Sequence, residues 1–444
     1  MLARENAHWR FGTEFAGNQL DLMSPAEASP VEPLWSSTAL STVKTRLKWF
    51  AGSFLFLSFL FSTAMVWSAA LWPDTAAESA IYLTGAVVAA FAIFGRISLR
   101  YSRVLIPFVG LPLWGLLQLL FGVSEYRFAT LQAVIAFGSV ALALVLGTFA
   151  LEPARNRSAF HIAISIFGAC LSAFALLQFI FGHNRIYFFL TPPWPVHAMG
   201  PFVNRDHYAA LVELLLPVPV WLTLQNPRRR VFYLAVPAAG LMYASIVACA
   251  SRAGVVIATI ELAVVTILAL LQHRRAQVRF PLRAVLLLAF VVLALSAAVG
   301  WKVVFGRFGD RDPLAYRRDF WAASGRMIKD KPLTGFGLGS WRWVYPRYAA
   351  VDPGALVRYA HNDWLEWACD GGVVFFAAFL AIWIYSLRLG RLHPWALGPA
   401  MVFAHSFVDF PLQIYPILLG LVLILAAAES SRVTENTRNP SLVS

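Results

Sequence analysis

The sequence predicts an all-α polytopic membrane protein, with about twelve transmembrane helices and one large loop on the outer face. Three observations carry this prediction. Of its 444 residues 59% are hydrophobic and only 13% charged, against about 25% charged in ordinary soluble domains. The apolar residues fall in runs of roughly 17 to 24, the length that crosses a hydrocarbon core. Lys and Arg concentrate in alternate loops between those runs, which is how a multi-span chain sets its orientation. The formal net charge of +13 is therefore read as topology, and no nucleic-acid partner is expected.

Residues 1–43 are mixed and polar, with Pro25 and Pro30 among acidic and small residues. They are expected to form a poorly ordered cytoplasmic tail. No short apolar run follows the first basic residue, so no cleavable signal peptide is expected, and the first span serves as the targeting signal. Residues 44–301 hold nine expected spans, near 49–72, 79–95, 104–121, 128–150, 158–181, 207–225, 231–249, 254–271 and 284–301. Three more, near 373–387, 394–410 and 412–428, occupy residues 373–428, the last two parted by a tight turn at Pro411. Residues 429–444 form a second tail. With the amino terminus inside, the inner loops carry Lys44, Arg46 and Lys48, then Arg96, Arg100 and Arg103, and later the Arg228–Arg230 and Arg274–Arg283 clusters. The short loops opposite carry only Arg127, Arg185, Arg205 and Arg252. Both termini then face the cytoplasm.

Residues 302–372 fall on the outer side and hold eleven Lys and Arg beside eight Asp and Glu. Such a segment is too polar to cross a bilayer. Residues 316–328 read as an amphipathic helix along the interface, with Trp321 at headgroup level. Lys331 and Pro332 end it, and Gly335, Gly337 and Gly339 open a loop. The stretch 335–372 gathers Gly, Trp, Tyr and Arg around His361 and Asn362, so chemistry is sought there. A second outer segment, 182–206, is rich in aromatics and proline and is expected to fold back over the first.

His361 is the candidate for catalysis, because a neutral imidazole takes a proton from a hydroxyl near physiological pH. Asn362, Asp363 and Glu366 follow it on the first turn of a helix, and one of those carboxylates is placed to orient the ring. Arg205 and Arg252 run against the topological bias. They form a pair of fixed cations suited to a pyrophosphate, and a helix start adds its own positive end. Snorkelling to lipid phosphates explains Arg252 equally well, and simple pairing with Asp206 explains Arg205. Asp310 and Asp312 flank Arg311 in a short acidic pattern of the kind that holds a divalent metal, but three residues are a weak signal, and no metal is assigned. Glu213 and Glu261 lie within spans, where they serve a proton path or hydrogen-bond a neighbouring helix. Asp409 lies closer to the outer surface. The glycine run 335–339 is no phosphate loop, since it lacks the Lys and Ser/Thr and no strand precedes it. Of Cys170, Cys249 and Cys369, only Cys369 is a plausible reactive thiol, and no disulfide framework is present.

Five ordered pieces, GPFVNRDHYA (200–209), SRAG (251–254), KPLTGFGLGSW (331–341), AHNDWLEW (360–367) with Gly371 and Gly372, and HSFVDFP (405–411), resemble the O-antigen ligase and polymerase family over roughly residues 100–428. That resemblance implies a GT-C type glycosyltransferase fold in the bacterial inner membrane. It implies a donor saccharide on undecaprenyl pyrophosphate, an acceptor hydroxyl on lipid A core or on another saccharide, and inverting transfer at the periplasmic face without metal, cofactor or nucleotide sugar. His361 matches the family's catalytic loop histidine, and Arg252 the arginine between two spans that contacts the pyrophosphate. Arg205 lies in the matching outer turn, where relatives vary. The competing class is a polyprenyl-linked saccharide flippase or other transporter. No inverted repeat and no matched pair of broken spans supports it.

Overall fold

A lipid-facing backbone must satisfy its polar groups within its own segment, so each long apolar run winds into helix. In the computed structural model the described residues are 37–438 apart from 95, 96, 98, 100, 101, 183, 192–198, 226–229, 301–305, 307, 308, 310–314, 351–353 and 355. Most of the expected amino-terminal tail and the pair Asp310 and Asp312 lie outside the described residues. From Val43 onward the chain packs as one unit. Among the described residues, ten helices are long and apolar enough to cross a membrane, from Ser41–Met65 to Tyr415–Arg432. Leu105–Leu120 is a further, shorter apolar helix. Among the described residues there is no sheet, only two isolated bridges. The chain is an all-α polytopic membrane protein.

The expected span near 394–410 takes a different form. It is a 3-10 turn Pro394–Ala396, an eight-residue helix Gly398–His405, and a second 3-10 turn Pro411–Gln413. Pro394, Pro399 and Pro411 supply no N–H and sit at the starts of these pieces, where that loss is tolerated. The short helix lies directly on the backbone of the Arg205 helix, since a Cβ on Gly398 would fall 2.1 Å from the Leu214 carbonyl oxygen. Burial shows which helices are central. In Arg205–Gln225 and Tyr415–Arg432, 89% of the spanning window is buried, against 22% in Leu282–Val299, whose apolar side chains face lipid.

The Asp363–Leu392 helix is broken at Gly372, whose φ of 64° and ψ of −164° are open to glycine alone. The break frees carbonyls that need partners. The glycine run supplies them: Phe336 N–H donates to Cys369 O at 2.9 Å and Gly337 N–H to Asp370 O at 2.9 Å. The Gln118 amide donates to Asp370 O and Thr334 O, and Trp114 donates to Gly371 O at 2.8 Å. A Cβ on Gly335 would lie 2.3 Å from Asp370 O, so glycine is required where the loop meets the break.

Helix Ala315–Asp330 forms between the Leu282–Val299 and Asp363–Leu392 helices. Its apolar side, with Ala323 and Met327, closes over Phe336, Trp341, Tyr345 and Cys369 in a small core. Trp321 is half-buried and donates to Ala360 O at 3.1 Å; its polar edge is used inside the protein and not at a lipid headgroup. Cys369 is likewise buried, its thiol against Ser324 O, which removes it as an accessible nucleophile. Glu125, on the turn before helix Arg127–Ala150, pairs with Arg347 at 3.1 Å and Lys331 at 3.2 Å. The hydrogen bonds from Arg347 hold its carboxyl below the usual range, against a smaller opposing effect of burial.

Candidate active site

The site grows from a helix start. Asn362 caps the Asp363 helix: its side-chain oxygen accepts from Leu365 N–H at 3.0 Å, and its amide donates to Phe407 O at 2.8 Å. The cap obliges His361 to turn sharply, with φ at +51° in the left-handed region, an uncommon conformation for a side-chain-bearing residue. The turn delivers the ring to Asp409, whose Oδ1 lies 3.0 Å from His361 Nδ1. The imidazole is 32% exposed while the carboxylate is 2% exposed. One edge of the ring is thus fixed from below and the other is open.

Asp363 and Glu366 do not orient this ring. Asp363 accepts from Leu412 N–H at 3.0 Å and Glu366 from Ala360 N–H at 2.7 Å. Both carboxylates instead fasten the segments on either side of His361, so the orienting group comes from 48 residues away. Backbone bonds from Asp363 N–H to the carbonyls of Ser406 and Asp409 close the same junction.

Among the described residues, three cationic or potentially cationic side chains face Asp409. Besides His361, they are His207, with Nε2 3.4 Å from Oδ2, and Arg317, 3.9 Å from Oδ1. The Arg317 guanidinium also donates to the Val408 carbonyl. Burial pushes the Asp409 carboxyl up, but the His361 hydrogen bond and the nearby His207 and His405 rings outweigh it and hold the pKa at about 2. Asp409 is therefore an anion at any physiological pH. An anion accepting from Nδ1–H leaves Nε2 as the lone-pair nitrogen on the exposed edge, which is the arrangement of a general base.

Arg205 and Arg252 are each the first residue of a helix, behind the caps Asn204 and Ser251. The two starts are tied together. Asn204 Oδ1 accepts from Asp206 N–H at 2.9 Å, and the Ser251 hydroxyl donates to Asp206 Oδ1 at 2.6 Å. The helices touch where a Cβ on Gly254 would lie 2.7 Å from Ala209 Cβ, which explains the glycine of SRAG. Both arginines are half-buried. Two helix N-termini thus meet, each led by an arginine, and helix starts favour anions. His207 follows Arg205 by two residues, so the Asp409 cluster and the paired helix starts are one continuous assembly.

Residues 237–380 match the family model described as O-antigen ligase. That match supports the O-antigen ligase family. The matched stretch contains Arg252 and the segment His361–Glu366, while Arg205, His207 and Asp409 lie outside it. No curated protein matches the chain. The family match and the apolar helices together support a multi-pass membrane protein with a glycosyltransferase-like role in surface polysaccharide assembly.

Sequence reasoning did not single out His207 or Arg317. His207 stands in the quoted segment 200–209, but only the fold reveals that its ring shares Asp409 with His361. Glu213 pairs with His405 at 3.0 Å in the protein interior, which favours the interhelix bond over a proton path for that residue. Both carboxylate oxygens of Glu261 are buried without a hydrogen-bond partner among the described residues.

Proposed function

We propose that this protein transfers a saccharide from undecaprenyl pyrophosphate to an acceptor hydroxyl at the periplasmic face, with both its termini in the cytoplasm. The observation that carries the reading is the 3.0 Å contact between His361 Nδ1 and the buried Asp409, with the opposite ring edge exposed. His361 Nε2 takes the proton of the acceptor hydroxyl as its oxygen bonds to the anomeric carbon. The bond from that carbon to the pyrophosphate oxygen breaks, its electron pair stays on the leaving group, and the configuration inverts. Asp409 stabilises the imidazolium that forms, and Arg205 and Arg252 stabilise the charge growing on the departing pyrophosphate. Their cations suffice for this because the leaving group already spreads its charge over phosphate oxygens. Asn362, Asp363 and Glu366 position the histidine without touching substrate. The acceptor is lipid A core for a ligase, or a growing or incoming saccharide for a polymerase.

A deletion strain complemented with wild type, His361→Ala or Arg252→Ala, at matched membrane levels, tests this reading. Surface polysaccharide and lipid-linked intermediates are resolved side by side. Long lipid-linked chains accumulating in the variants indicate a ligase, and single repeats left on lipid indicate a polymerase. Full restoration by His361→Ala contradicts the catalytic assignment and returns weight to a transporter.

A further inference from the structure

Beside the His361–Asp409 pair lies a cavity of about 400 Å³ that the reaction as written does not use. Its size falls within the roughly 300–1,000 Å³ of small-molecule sites. The outer end of the first span contributes Trp67, the 182–206 segment contributes Leu190, Thr191 and Asn204, and the catalytic loop contributes Arg358 and Tyr359. His207 and Phe410 form the wall toward the site. Phe410 presents its ring at a steep angle to both histidines, with centroids 4.4 Å from His207 and 4.8 Å from His361. Tyr359 stacks on Phe410 at 4.1 Å with planes 16° apart. Whatever fills this cavity therefore stands one aromatic ring away from the candidate base.

The lining is mostly apolar and aromatic, with few polar groups, all donors or amphoteric: the Asn204 amide, the His207 ring, the Ser68, Thr191 and Tyr359 hydroxyls and the Arg358 guanidinium. That mixture suits a sugar ring, whose C–H faces stack on aromatic planes and whose hydroxyls need hydrogen bonds at the rim. A polyprenyl chain offers no partner to the Thr191 and Tyr359 hydroxyls or the Arg358 guanidinium, whereas Asn204 and His207 already meet each other at 3.2 Å.

We infer that the cavity bounded by Trp67, Thr191, Asn204, His207, Tyr359 and Phe410 is a saccharide subsite that seats a pyranose ring next to His361. The inference rests on the proposed transferase reading and names where one of its sugars binds. Donor and acceptor sugars share this chemistry, and the experiment separates them.

The probes are lipid-linked saccharide isolated from the deletion strain, its saccharide-free undecaprenyl pyrophosphate, and the acceptor glycan fraction from the same cells. Purified Tyr359→Ala, Tyr359→Phe and Thr191→Trp are compared with wild type. Thr191 is exposed on the cavity rim, so Thr191→Trp narrows the cavity with little risk to folding and carries the test if Tyr359→Ala fails to accumulate. Tyr359→Phe keeps the stacking face and is expected to stay within about threefold of wild type. A donor-sugar subsite weakens binding of the lipid-linked saccharide about five- to tenfold in Tyr359→Ala and Thr191→Trp, with saccharide-free lipid unaffected. An acceptor subsite leaves donor binding intact and raises the acceptor KM by the same factor. Equal weakening of the saccharide-free lipid overturns the inference in favour of the prenyl chain, as does wild-type behaviour of both variants in every assay. His361→Gln, assayed alongside, tells the two readings apart. If it is inactive while the cavity variants are normal, only the subsite fails; if it is active, the base assignment fails and the binding results still decide the subsite.

Discussion

The two ends of the stretch 335–372 meet the same helix and use their polar groups in opposite ways. At Gly335–Gly339 the backbone is spent closing the Gly372 break, through bonds to the Cys369 and Asp370 carbonyls and from Gly339 N–H to Asp370 Oδ2 at 2.8 Å. At His361 the same helix begins with every neighbour fastened, by Asn362, Asp363 and Glu366, except one edge of the imidazole. On the proposed reading, this polar stretch between spans is part scaffold and part chemistry, and the open edge of the His361 ring distinguishes the two. The glycine end should fail by unfolding, and the histidine end by inactivity.

The largest expected effects separate these failures most clearly. His361→Ala should lower turnover roughly 10²- to 10⁴-fold with a thermal midpoint in detergent close to wild type. Gly372→Ala should do the reverse. Its new Cβ would lie 2.2 Å from Leu333 O at a φ of +64°, a conflict worth about 3 kcal/mol or more. Folded protein recovered from membranes should drop steeply, while any surviving fraction keeps its turnover per molecule.

Asp409→Asn sharpens the comparison at the active end. An amide can donate to Nδ1 and so favours the tautomer with the proton on Nε2, where it blocks the base. Turnover is expected to fall about 10²-fold or more, as when a buried carboxylate partner of a catalytic histidine is neutralised. The pH dependence has a definite sign. With its folded pKa lowered to about 2, Asp409 contributes stability that is full above the ordinary carboxylate pKa of about 3.9 and is lost as pH falls toward 2. Thermal midpoints of wild type should therefore decline on acidification from pH 4 to 2 more steeply than those of Asp409→Asn.

A smaller effect is expected from Gly254→Leu, which separates the paired helix starts rather than removing a cation. Overpacking of this kind costs about 1–3 kcal/mol, and the donor KM should rise about tenfold at little change in kcat. Smallest of all should be Glu125→Gln. Its pairs with Arg347 and Lys331 are partly exposed, so their loss should cost no more than about 1 kcal/mol. That deficit should vanish below the folded-state pKa of Glu125, which lies under the ordinary carboxylate value.

What was legible in the sequence follows from how local each signal is. Unbroken apolar runs announce spans, because the bilayer imposes length and composition on one segment at a time. The run at 394–410 misled because its prolines divide it, and the short Gly398–His405 helix gains its stability from packing on the Arg205 helix. His361 stood out as a histidine in a polar loop at a helix start. That Asp409 rather than Asp363 or Glu366 turns its ring was hidden, since proximity along the chain favoured the nearer carboxylates. His207 and Arg317 were hidden for the same reason: each acts through a carboxylate on another segment. The glycines 335, 337 and 339 read only as the opening of a loop, and the break at Gly372 explains why they are needed.

The most direct test of the central claim is a double-mutant cycle on saccharide transfer, using wild type, His361→Gln, Asp409→Asn and the double variant at equal folded protein. If Asp409 works through the His361 ring, the double variant should be no slower than His361→Gln alone. Losses that multiply would show that the two residues act separately, and would contradict the account.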